Sequence, residues 1–384
     1  MSESLPATER ILLGPGPSQV APRVMRALAT PVLSHLDPDF VPLLDDVRAR
    51  LRGVFRASES ALTLAVSGTG TSGMETMIAN LVAPGTRVLS IVNGSFGGRL
   101  AEMASRHGAV VHRVEGEWGE AIDPAGVERR LRADGADLVT IVHAETSTGV
   151  RNPVEAVVTL AKAHGALSLV DCVTSLGGQP VDMSGWGADA CYSGSQKCLG
   201  APSGLAPLVF APSALGRRVP CRIFALDLRL LEEYWVGRKY HHTISASLVY
   251  ALAEALAAVE EEGLEVRWQR HELVHQVFAA GLDGLGLSLL PVPDQRLWTL
   301  NAVRVPDGVD EAAVRNWLRE VDNIEIGAGM GPLANHIWRI GLMGASATVP
   351  LVLLLLAALE RAVTRVGHSA VPGAATAAAL ARLS

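Results

Sequence analysis

The chain has 384 residues, 49% of them hydrophobic and 19% charged, with a formal net charge of −6. That length suits two structured units, and that balance excludes a disordered chain. Aromatic residues make up only 4% and Lys/Arg form no block, which excludes a base-stacking platform and a phosphate-backbone footprint.

The first twenty residues contain Gly14-Pro15-Gly16-Pro17, which excludes a helix and predicts an extended arm over residues 1–22. Apolar runs at 61–66, 88–92, 110–114, 138–142, 167–170, 191–192 and 205–210 read as strands. Segments with helical spacing at 72–82, 98–106, 127–132 and 154–163 lie between them. This alternation predicts an α/β fold with a mostly parallel sheet, and the near-continuous apolar strands predict helices on both faces. The large unit is assigned to residues 23–254.

Composition changes after about residue 225. A long helix is expected at 245–262, stopped by Gly263, and a second at 266–280. Strand, helix and strand patterns follow at 297–303, 311–321, 324–326 and 338–340, then a last helix at 350–366. They predict a smaller α+β unit over 255–384, ending in an Ala-rich tail. The most apolar run, 349–358, is too short to span a bilayer. Cys172, Cys191, Cys198 and Cys221 form no CxxC pair and no secretory leader pattern precedes them, which reads as reduced thiols in a cytoplasmic protein.

Three groups carry chemistry. Lys197 ends Ser193-Gly194-Ser195-Gln196-Lys197, just past a strand, where small neighbours admit a ligand. Asp171 directly follows the apolar run 167–170, at the strand end where α/β sheets bind ligands. Ser67-Gly68-Thr69-Gly70-Thr71-Ser72-Gly73 follows a strand and opens a helix, a turn that suits a phosphate. Alone, Lys197 reads as a surface lysine, Asp171 as a loop cap and the turn as a plain glycine turn. Together an amine and a carboxylate form a pair: one bonds an aldehyde cofactor, the other holds its pyridine nitrogen protonated.

The chain resembles the class V, fold-type I pyridoxal phosphate (PLP) aminotransferases, in particular the alanine–glyoxylate and serine–glyoxylate group. The resemblance covers residues 12–366. It is carried by Leu13-Gly14-Pro15-Gly16-Pro17, the turn above, Glu145-Thr146-Ser147-Thr148-Gly149-Val150, and Val170-Asp171-Cys172-Val173-Thr174-Ser175. Tyr192-Ser193-Gly194-Ser195-Gln196-Lys197, Tyr240-His241-His242-Thr243-Ile244 and Arg339-Ile340-Gly341 complete it. The resemblance implies a mostly parallel seven-stranded sheet sandwiched by helices, plus the smaller C-terminal α+β domain. It implies that Lys197 carries PLP as a Schiff base and acts as the base, and that Asp171 pairs with the pyridine nitrogen. By the same resemblance Gly68, Thr69, Gly70, Thr71 and Gln196 hold the phosphate. Phe96 and Val173 cover the two ring faces, and Thr146 lies near the ring hydroxyl and the substrate. Tyr240 and Thr243 reach the phosphate of the other subunit, which implies a homodimer with shared active sites.

Arg339 corresponds to the arginine that grips the substrate carboxylate, although alone it reads as a strand arginine in a salt bridge. Gly14 and His35 belong to segments lining the substrate pocket. No metal, nucleic acid or membrane is implied. The implied reaction moves an amino group from alanine or serine to glyoxylate, or to pyruvate, giving glycine and a 2-oxo acid in the glyoxylate case. Ureidoglycine–glyoxylate and aspartate aminotransferases, and a PLP-fold binding protein without turnover, are the alternatives. His35 and His241 stand where ureidoglycine-type relatives favour amides, which weakens the ureidoglycine alternative, and a single carboxylate-binding arginine suits small monocarboxylates. A cysteine desulfurase is disfavoured, since no cysteine follows Cys221 and Gln196 precedes the lysine. The dinucleotide fingerprint of a nicotinamide-dependent oxidoreductase is missing.

Overall fold

A computed structural model describes residues 9–383. Its centre is a seven-stranded sheet in the order Leu62–Gly68, Gly204–Phe210, Ala190–Tyr192, Leu167–Asp171, Leu138–Val142, Arg87–Val92, Val110–Glu115. Six strands run parallel, and Gly204–Phe210 is antiparallel to both of its neighbours. Parallel strands need crossovers, and helices such as Gly70–Leu81, Ser95–Arg106 and Val154–Ala163 supply them. The strand ends that open on the same edge therefore include those of Leu62–Gly68, Leu167–Asp171 and Ala190–Tyr192. The mostly parallel, helix-flanked sheet is the architecture expected.

Two apolar clusters divide the chain. One gathers residues from Phe40 to Val259 around the large sheet. The other joins Leu13 to residues between Val274 and Ala379, around a sheet in the order Leu300–Arg304, Ile337–Gly341, Gly327–Ala328. Residue 254, where the division was drawn from composition, lies within the helix Ala246–Glu262, which Ser245 caps by accepting from Leu248 N. Gly263 ends that helix with a φ of +81°, a region that favours glycine.

The helix Val41–Phe55 was not anticipated. Leu44, Val47, Leu51, Val54 and Phe55 recur at helical spacing on its buried face, and Arg56 stops it with φ 50°. The arm also differs from a free extension. Ile11–Leu12 pairs in parallel with Ile324–Glu325, so residues expected to continue the small unit's sheet pair with the arm instead. The Ala-rich tail forms the helix Ala374–Ala381.

Leu208 is fully buried in the antiparallel strand and would lie 3.3 Å from a Cβ on Gly73, in the first turn of the helix Gly70–Leu81. Leu208→Ala leaves a cavity there and costs about 2–5 kcal/mol. A lowered midpoint in thermal or urea unfolding checks this.

Candidate active site

Lys197 sits in a loop fixed from several sides. Ser193 N donates to Pro207 O at 2.8 Å and Ser195 N to Leu205 O at 3.0 Å, extending the strand pairing beyond Tyr192. From the arm, Ser18 N donates to Gln196 O at 2.9 Å and Ser18 Oγ to Lys197 O at 2.7 Å. Arg267 Nη2 holds Cys198 O at 2.6 Å. The Lys197 amine donates to the Pro15 carbonyl. Gly16 has a φ of +118°, and a Cβ there would come within 2.8 Å of Lys197 Cδ, so the arm needs glycine at this point. Burial pushes the amine down to about 8; the charge of Arg339 acts in the same direction and Asp171 opposes it.

Asp171 ends its strand with 3% exposure. Its carboxylate accepts from Tyr192 OH at 2.5 Å and from Val173 N at 2.8 Å. Burial pushes it up to about 6, against the pull of those two bonds. A buried carboxyl group held this way suits a protonated pyridine nitrogen, which would favour the ionised form.

The helix Gly70–Leu81 begins at Thr69 without a side-chain cap, so its first N–H groups are free for an anion. Gly68 has φ +126°, and a Cβ on Gly70 would come within 2.8 Å of Val173 Cγ2. Beside this turn Gln196 Oε1 is buried with no partner. Thr69, Gly70, Thr71, Phe96, Thr146, Asp171, Val173, Gln196 and Lys197 line one cavity of about 160 Å³. An uncapped helix end, an orphaned amide oxygen, a poised amine and a buried carboxyl fit PLP.

Arg339 lies on the strand Ile337–Gly341 with 9% exposure. Its Nε donates to Ala328 O at 2.6 Å and its Nη1 reaches Thr146 O at 3.5 Å. Among the described residues no carboxylate forms an ion pair with it, so the salt-bridge reading is set aside. Burial lowers its affinity for the proton. Gly14 lies beside the same sheet: Gly341 N donates to Leu13 O at 2.8 Å, and a Cβ on Gly14 would be 3.7 Å from Gly327 N.

His35, expected in the substrate pocket, does not reach the Lys197 cavity within its own chain. Its ring packs 5.5 Å from Tyr240 and 6.0 Å from Tyr234. Tyr240 is 59% exposed and Thr243 is exposed, and neither lines the cavity. His241 is buried against Phe224 and His242, and neither of its ring nitrogens has a partner.

The family description "Aminotransferase class-V" matches residues 12–342. The chain belongs to the class V aminotransferases. Its structure is similar to that of ureidoglycine–glyoxylate aminotransferase from Bacillus subtilis, with a TM-score of 0.95 and 37% identity over 99% of both chains. It is also similar to an alanine–glyoxylate aminotransferase from Nostoc sp. (TM-score 0.92, 44% identity, 94% of this chain and 97% of the other). Pyridoxamine–pyruvate aminotransferase from Mesorhizobium loti follows, with TM-score 0.94 and 32% identity over 98% and 97%. The chain is thus a PLP-dependent, fold-type I transaminase related to the alanine/serine–glyoxylate and ureidoglycine–glyoxylate enzymes.

Two supporting residues of this class V aminotransferase escape sequence reasoning. Tyr192 carries no role in the sequence reading beyond its strand and the motif it opens, yet it donates to Asp171. Glu145 is fully buried and accepts from Phe96 N and Gly97 N at 3.1 Å and from Ser147 Oγ at 2.6 Å, anchoring the helix that carries Phe96. A carboxylate receiving helix N-terminal N–H groups is a recognisable device, but its partners lie far away in sequence. Among the described residues no acid, histidine and cysteine cluster could hold a metal, and no helix is long and apolar enough to cross a membrane.

Because burial disfavours the ammonium form, the Lys197 amine is mostly unprotonated from about pH 8 upward. Competitive acetylation of the apoprotein should give Lys197 an apparent pKa near 8, against roughly 10.4 for an ordinary lysine. A value near the ordinary one would contradict the buried placement.

Proposed function

We propose that the chain is a homodimeric, cytoplasmic glyoxylate transaminase whose amino donor is a small monocarboxylate. The observation that carries this reading is Arg339, a buried guanidinium with no carboxylate partner among the described residues, whose charge bears on Lys197. A planar guanidinium binds one carboxylate through two parallel hydrogen bonds, which suits glyoxylate and small donors better than aspartate. The names of the Bacillus and Nostoc relatives share glyoxylate and differ in the donor. Similarity over the whole of both chains supports (S)-ureidoglycine as the donor, and alanine or serine becomes the second reading.

The exposed placement of Tyr240 and Thr243 supports their service to a second subunit. Tyr240 shares its patch with His35, and Val32 and Phe224 are 72% and 70% exposed, apolar surface that a second copy would cover. On this reading His35 enters the substrate pocket from across the interface.

When bound, PLP supplies an aldehyde for amines and an electron sink for the donor α-carbon. Lys197, whose proton burial makes easier to lose, would serve as the base that takes the donor α-proton and returns it on the cofactor side. Asp171 holds a negative charge at the pyridine nitrogen. Thr69, Gly70, Thr71 and Gln196 hold the phosphate end, and Phe96 and Val173 confine the ring between them. Arg339 fixes the carboxylate and so orients the α-carbon bond to be broken. Thr146, bonded to Thr174 Oγ1 at 2.6 Å, presents a hydroxyl on the same wall.

The purified protein should absorb in the visible, and borohydride should fix the cofactor on Lys197. Lys197→Ala should lose the trapped adduct and turnover. Arg339→Ala should raise KM for donor and acceptor by roughly tenfold or more, the loss of a charge-assisted pair. A panel of ureidoglycine, alanine, serine, aspartate and pyridoxamine, each with glyoxylate, decides the donor. If none forms glycine, the assignment fails.

A further inference from the structure

The residues assigned to the phosphate from the sequence are all neutral: Gly68, Thr69, Gly70, Thr71 and Gln196, with Tyr240 and Thr243 from a second subunit. A phosphate monoester carries close to two negative charges near neutral pH. The helix end at Gly70 offsets only about half a charge. The set therefore lacks a cation.

Arg99 stands where one is needed. It lies on the helix Ser95–Arg106, three positions after Phe96 and on the same helical face. Its guanidinium carbon is 4.9 Å from the centroid of the Phe96 ring, and its Nη1 donates to Thr71 Oγ1 at 3.0 Å. It lines the same cavity as Thr69, Gly70 and Lys197. Among the described residues no carboxylate pairs with it, and Thr71 Oγ1 is the one acceptor it meets. Most of its donors are therefore available to an anion at the helix end.

We propose that Arg99 is a further cofactor-binding residue, whose guanidinium neutralises the phosphate of PLP while its contact with Phe96 steadies the stacking ring. The proposal rests on PLP as cofactor and not on the identity of the amino donor. Arginine suits this double role because its planar cation stacks on an aromatic face and still offers in-plane donors. Lysine would retain the charge without the stacking.

The test is a titration of apoprotein with PLP and, separately, with pyridoxal, which has the same ring and aldehyde but no phosphate. Arg99→Gln should weaken PLP binding about 10- to 100-fold, as for one charge-assisted hydrogen bond, and pyridoxal binding, which loses only the steadied ring, by no more than a few-fold. Arg99→Lys should recover most of the PLP affinity. In wild-type apoprotein, inorganic phosphate should slow modification of Arg99 by phenylglyoxal, a readout that needs no variant to fold. Unchanged PLP affinity in Arg99→Gln, equal losses for both ligands, or no protection by phosphate would each overturn the proposal.

Discussion

The site depends on keeping one amine out of water. Lys197 is an ordinary lysine by sequence, but the Pro15 carbonyl, the glycine at 16 and the fixed loop around Ser195 keep its side chain within the protein. Low dielectric costs an ammonium far more than a neutral amine, so the environment alone prepares the residue as nucleophile and base. Asp171 follows the same logic with opposite consequence. Burial pushes its carboxyl group up, which disfavours the charged form.

The sheet sets the spacing between them. Asp171 pairs in register with Val142 on one side and Tyr192 on the other, and Lys197 follows Tyr192 by a few residues. Adjacent parallel strands therefore deliver an acid and an amine to the same edge. Glu145 works one layer out, holding the first turn of the helix that carries Phe96. Arg339 reaches the region from the strand Ile337–Gly341, whose Trp338 and Ile340 belong to the second apolar cluster.

Much of this was legible in the sequence because it is local. Short apolar runs marked the strands, and polar residues beyond the ends of two of them marked Asp171 and Lys197. The helix Val41–Phe55 was legible in principle from the spacing of Leu44, Val47 and Leu51, but it lies between the arm and the first strand, outside the alternation that organised the reading. What could not be read is tertiary. Tyr192 faces Asp171 because two strands happen to be neighbours, and Arg99 meets Thr71 across two helices. The arm's pairing with Ile324–Glu325 joins segments from opposite ends of the chain, and no periodicity signals it. His35 was tied to the pocket by resemblance, and within one chain its ring lies instead with Tyr240 on the exposed patch.

The arm also bears on how the molecule is made. Residues 11–18 touch Lys197, made midway through synthesis, and Ile324 and Gly341, made near its end. The first stretch to be synthesised must wait for nearly the last before all its backbone bonds close. The parallel sheet can assemble from its own crossovers while translation continues, and the arm can meet Lys197 early, but its bonds to Ile324 and Gly341 close only when both ends of the chain are present. A nascent chain halted before residue 324 would thus carry the large sheet with its arm tied down at the lysine loop alone.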